Sequence, residues 1–141
     1  MGRRKSKEQK TDEWIAWWKP RLLLDKWAVI PSHKDKDITP ADDEYIDHIQ
    51  AQNTIDLANS ECHLVTFPIL WNDNEEGYQH MTIGHELAHI HTQLVAELLD
   101  KAVAKRLIKR KDANRLLEDL TTTIAKIALV NAKKRLPDYH I

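Results

Sequence analysis

Met81-Thr82-Ile83-Gly84-His85-Glu86-Leu87-Ala88-His89-Ile90 is the stretch on which the reading of this chain turns. It contains H-E-x-x-H. On a helix, residues four apart share a face, one turn above each other. Two imidazoles so placed can bind one zinc ion, and the carboxylate of Glu86 projects beside them, able to take a proton from a metal-activated water. Ile83, Leu87, Ala88 and Ile90 give the same segment an apolar face, and Gly84 and Ala88 are small enough for close packing.

Working outward, the helical pattern extends from Gln79 to about Lys109, with Leu94, Val95, Leu98, Leu99, Val103 and Leu107 at helical intervals. Asp112 reads as the cap of a last helix, Ala113 to about Arg135. Its apolar side is Leu116, Leu117, Leu120, Ile124, Ile127 and Ala128, and Pro137 ends it. Upstream, Trp27–Ile30 reads as a strand closed by Pro31, and Ser32–Ala41 as a loop. Asp42–His48 suggests a short helical turn, and Gln50–Leu57 alternates around Ala51, Asn53, Ile55 and Leu57 as a half-buried strand does. His63–Trp71 gives the clearest strand pattern, and Pro68 argues for a sheet edge or bulge there. Asn72–Gly77 is a polar turn. A first helix is expected from a cap at Thr11 or Asp12 through Trp14, Trp17 and Trp18 to Pro20. Those tryptophans lie at helical spacing, which favours packing over a base-stacking platform. The expected class is α+β: a small sheet packed on two long helices.

Length sets the frame for that expectation. With 141 residues the chain is read as a disordered basic tail, 1–10, and a single domain, 11–141, able to bury a core without disulfides. Cys62 is the only cysteine. No apolar run is long enough to cross a bilayer and no signal peptide is visible, so the expectation is a complete cytoplasmic protein. Net charge is −1, unevenly spread. Arg3, Arg4, Lys5, Lys7 and Lys10 crowd the start, and Lys101, Lys105, Arg106, Lys109, Arg110, Lys111 and Arg115 form a second basic run. Between them lies an acidic segment from Asp35 to Asp47. Such basic runs can bind phosphate backbones, but solvated faces are the favoured reading.

Catalytic zinc has three protein ligands and a water, so a third ligand must come from outside the motif. The extended pattern H-E-x-x-H-x-x-G-x-x-H fails, because Thr92 and Val95 stand where Gly and His would be. Glu97 lies two turns beyond His89, and a straight helix carries it away. Glu118, in Leu116-Leu117-Glu118-Asp119-Leu120, is the preferred candidate, since its apolar neighbours suggest a core-facing turn in which a carboxylate needs a partner. Asp119 is the alternative. Tyr78 and His80, just before the motif, are candidates for contacting a developing oxyanion or the substrate. His91 points away from His89; His33, His48, His63, Tyr139 and His140 have no assigned role.

The arrangement resembles the zincin metallopeptidases, in particular the gluzincins, where H-E-x-x-H on one helix is completed by a Glu on the next. The small size is similar to minimal zincin-like proteins of bacteriophages and mobile elements. The resemblance covers roughly Trp27 to Leu129 and implies a zinc peptidase acting on a protein or peptide, with His85, His89 and Glu118 as ligands and Glu86 as general base. Gluzincins often carry an Asp four residues after the ligand Glu; here that position is Thr122, which leaves the buttressing of a ligand histidine open. In the expected mechanism, the strand His63–Trp71 receives an extended peptide at the sheet edge. Two rival readings are a zincin scaffold that binds or regulates a partner without useful catalysis, and a DNA-associated protease in the manner of the SprT-like proteins, which usually use a third His.

Overall fold

The computed structural model describes residues 4–38 and 49–135. The expected turn at Asp42–His48, the helix stop at Pro137, and His48, Tyr139 and His140 lie outside them. The class is α+β, with a three-stranded mixed sheet and helices in the order α1 (Lys7–Arg21), β1 (Ala28–His33), β2 (Ala51–Asp56), β3 (Glu61–Thr66), α2 (Pro68–Asn72), α3 (Glu76–Ala104) and α4 (Arg110–Arg135). The chain forms two compact units whose boundary falls inside α3, after Leu87. Among the described residues no helix is long and apolar enough to cross a membrane.

In the first unit, α1 starts earlier than expected. Ser6 caps it: Gln9 N donates to Ser6 Oγ (3.1 Å) and Ser6 N donates to Gln9 Oε1 (2.9 Å), a reciprocal capping box. Residues 7–10, expected within a disordered tail, therefore form the first turn of the helix. Thr11, Trp14, Ile15 and Trp18 line its buried face.

The sheet order is β1-β3-β2, with β1 parallel and β2 antiparallel to β3. The strand expected at an edge is thus the central one, and it stops at Thr66. Pro68 is not in the strand; it opens α2, where the missing N–H goes unneeded. The proline that does lie in a strand is Pro31, opposite Leu64 in β1. An edge strand tolerates it because the outer side of the ladder makes no bonds. Peptide addition along His63–Trp71 is excluded, because β3 is paired on both sides. Cys62, Leu64 and Thr66 point from β3 into the core with Phe67, Leu70, Leu22, Leu24, Ile83 and Leu87.

Gly84 lets the first half of α3 lie against α1. A Cβ there would stand 2.2 Å from Trp18 Cε2, well inside van der Waals contact. Trp18 is fully buried, and its Nε1 donates to both Nδ1 (3.0 Å) and the carbonyl oxygen (3.1 Å) of His80.

The second unit contains the rest of α3 and α4. The turn between the helices places Arg106 in the left-handed region (φ 60°). Helix α4 begins two residues before Asp112, which sits in its first turn rather than at its cap; a negative charge there suits the helix dipole. Apart from Ile90 at the start of the unit, the buried residues are small: Ala88 and Thr92 on α3, and Ala113, Thr121, Ala125 and Ala128 on α4. Many of the long aliphatics expected to face a core are exposed, among them Leu94, Leu98, Leu107, Leu116, Leu120 and Ile127.

Candidate metal centre

The motif forms one uninterrupted turn of α3. His85, Glu86 and His89 each offer a ligand atom, and these atoms all lie within 4.8 Å of one another. Among the described residues this is the one such His/Cys/Asp/Glu group. The proximity comes from the helix itself, since four residues advance the chain by about 6 Å and return it to nearly the same face. Leu87 and Ala88, on the opposite side of that turn, are fully buried and fix which face the histidines present.

Two further contacts shape the site, one in each unit. In the first, Asn53 of β2 donates from Nδ2 to the Oε2 of Glu86, and to the Glu86 carbonyl oxygen at 3.2 Å. An amide donor on the carboxylate fixes its direction. The negative charge of Glu86 is also felt by Cys62. Burial first, and that charge second, push the Cys62 thiol up to about 12, so it is an inert, protonated core residue.

In the second unit, Glu118 Oε1 stands 3.3 Å from His89 Nε2. The core-facing turn expected around Glu118 is not formed: Leu116 and Leu120 are exposed, and the Glu118 side chain is 55% exposed. The carboxylate reaches His89 from the rim of the helix pair instead of from its core. The other ring nitrogen of His89, Nδ1, lies 3.3 Å from Thr121 Oγ1. Thr122, the position where a gluzincin carries Asp, is not the residue in that contact.

The remaining candidates lie elsewhere. His80 is buried among Trp14, Trp17 and Trp18, with ring centroids 5.0, 5.0 and 5.7 Å away. Burial pushes its pKa down to about 4, so at neutral pH it is an uncharged ring packed in the core. Tyr78 is exposed and sits seven residues before His85, about 10 Å along the helix axis. Glu97 and Asp119 are exposed, and His33 instead pairs with Thr66 beside Trp71. Trp14 stacks on Trp71 and, like Trp18, packs against His80, while Trp17 stands edge-on to Trp18 with the Arg21 guanidinium 4.2 Å from its ring, so the tryptophans of α1 serve packing.

Sequence reasoning passed over Asn53 and Thr121, though each had a signal. Asn53 is the polar member of the inward row of its strand, and Thr121 lies three residues after Glu118, on the same helix face. No protein-family model matches the chain, and no curated protein or solved structure matches it.

Proposed function

We propose that this chain is a zinc-dependent peptidase of the zincin type, with His85, His89 and Glu118 as metal ligands and Glu86 as general base. The observation that carries the reading is the convergence of the His85, Glu86 and His89 ligand atoms within 4.8 Å on one helical turn. The 3.3 Å separation of His89 Nε2 and Glu118 Oε1 supports the third ligand. Two ligand atoms about 2.0–2.1 Å from a tetrahedral ion stand about 3.3–3.4 Å apart. Two imidazoles and a carboxylate also form a donor set that catalytic zinc uses.

When bound, zinc supplies an acidified water and a Lewis acid for the scissile carbonyl. The chain's own groups do the rest. Asn53 holds one oxygen of Glu86 from β2, so the base is aimed before substrate arrives. Glu86 takes the proton of the attacking water and delivers it to the leaving amine. Edge strand β2, which carries Asn53, replaces β3 as the place where an extended peptide can pair.

The test combines metal content with turnover. Elemental analysis should give about one zinc per chain, lost in His85→Ala and His89→Ala and strongly weakened in Glu118→Ala. Glu86→Gln should keep zinc and cut peptide hydrolysis at least about a hundredfold. Protein that neither contains zinc nor takes it up on titration overturns the reading.

A second reading, a zincin scaffold that acts by binding a partner, is favoured by the exposed Leu94, Leu98, Leu116, Leu120 and Ile127. Zinc-loaded protein whose peptide turnover is the same in wild type and Glu86→Gln would decide for it. The DNA-associated reading draws less support, because Arg110 and Arg115 of the basic run already face Asp100 (2.6 Å) and Asp112 (3.7 Å).

A further inference from the structure

The geometry points to Thr121 as the residue that sets the tautomer of His89, holding the proton on Nδ1 and turning the Nε2 lone pair toward the metal position. The inference rests on the zinc reading above but is argued from hydroxyl protons alone. Thr121 Oγ1 lies 2.8 Å from the carbonyl oxygen of Leu117. A carbonyl has no proton to give, so Thr121 is the donor, and a hydroxyl has only one proton. Toward every other neighbour Thr121 can therefore only accept.

It has two such neighbours. Thr92 Oγ1 is 3.0 Å away, and His89 Nδ1 is 3.3 Å away. Thr92 also reaches the His89 carbonyl oxygen at 3.2 Å, so its own proton is shared between that oxygen and Thr121. With Thr121 committed as acceptor, the contact to Nδ1 is a hydrogen bond only if Nδ1 carries the proton. Both hydroxyls are buried, Thr121 at 0% and Thr92 at 1% exposure, so water does not compete for the arrangement. In the neutral ring Nε2 then bears the lone pair, and Nε2 is the atom facing Glu118.

Two acceptors, a bare Nε2 and a carboxylate oxygen, repel each other at 3.3 Å. A cation between them, whether a metal ion or a second ring proton, removes that conflict. With the ring neutral, the threonine pair thus leaves the His89–Glu118 edge arranged to receive a metal ion. It acts through the ring and is a positioning device, built from two hydroxyls on two helices.

Nitrogen-correlated NMR of the metal-free full chain reads the tautomer directly. In the wild type with its ring neutral, His89 should show Nδ1–H with Nε2 unprotonated. Thr121→Val keeps the shape and removes the acceptor, so the Nε2–H form should gain population and zinc affinity should fall about 10–100-fold. Thr121→Ser restores the hydroxyl and should stay within about threefold of wild type. A wild-type His89 that is mainly Nε2–H overturns the inference without any variant, as does a folded Thr121→Val protein with the wild-type tautomer and zinc affinity. If the wild type shows the Nδ1–H form and yet binds no zinc, the tautomer assignment stands and the zinc reading fails.

Discussion

The two compact units are held in opposite ways. The first is closed by large rings and branched aliphatics: Trp14, Trp18, Leu64, Leu70, Ile83 and Leu87 are all buried, and four of the five tryptophans contact one another or His80. The second is closed largely by alanines and threonines, while leucines of similar size to those in the first lie in solvent. Buried apolar area is the main source of stability, at about 25 cal/mol per Å². Small side chains bring helices close but remove little such area from water. The first unit therefore draws more on buried apolar side chains, and the second more on polar contacts such as Thr92–Thr121 and the groups around His89. All five tryptophans lie in the first unit, and two long helices run through the second. In urea, far-UV circular dichroism should begin to fall before tryptophan fluorescence changes.

The sharpest way to break this contrast is Trp18→Ala. It removes a fully buried indole and leaves His80 Nδ1 and the His80 carbonyl without that donor. A loss of about 3–5 kcal/mol is expected, measured by fluorescence-detected urea unfolding. A loss below about 1 kcal/mol would mean that the first unit is not organised around this ring.

Acid offers the next largest effect. His80 has its pKa pushed down to about 4 by burial, against 6.5 in an open chain. The unfolded chain therefore takes up the proton first as pH falls. The contribution is fully present above about pH 6.5, is lost progressively as pH drops from there to about 4, and is constant below. It amounts to about 3 kcal/mol across that window. His80→Gln keeps a neutral acceptor for Trp18 and should flatten the dependence. Equal slopes for wild type and variant between pH 6.5 and 4 would remove His80 from the account.

Gly84→Ala tests the closeness of approach. The added methyl would meet Trp18 at 2.2 Å, so the rings must shift, at about 1–3 kcal/mol. In a Trp18→Leu background the penalty should shrink, because the two changes relieve the same contact. Full additivity in that double-mutant cycle would place the strain elsewhere.

The same contrast explains what the sequence could disclose. The motif, α3, α4 and the α+β class were legible because each rests on local spacing. Periodicity tells which residues share a face, but not whether anything covers it. Leu94, Leu98, Leu116 and Leu120 form regular rows and yet lie in solvent. The central place of β3 was hidden because strand order is set by pairing far along the chain, and Pro31 and Pro68 carry the same local signal in opposite roles. Ser6 and Gln9 spell a capping box but were masked by the basic residues around them. Thr92 and Thr121 were the least visible, since threonine is at home in caps, strands and surfaces alike, and only the partner hydroxyl across the helix pair gives it meaning.

The smallest expected effect is the most direct test of the contrast. Leu98 is 64% exposed and Leu116 56%, whereas Leu64, Leu70 and Leu87 are at 0%. Burial, not residue type, decides the energy of a leucine, so a polar replacement of similar length separates the two classes. Leu98→Gln and Leu116→Gln should each change stability by no more than about 0.5 kcal/mol. A single truncation in the first unit, Leu87→Ala, should cost about 2–5 kcal/mol. Chemical denaturation followed by circular dichroism measures all three on one scale. If Leu98→Gln costs as much as Leu87→Ala, the aliphatic rows of the second unit are covered in solution, and the unit has a larger core than its alanines and threonines provide.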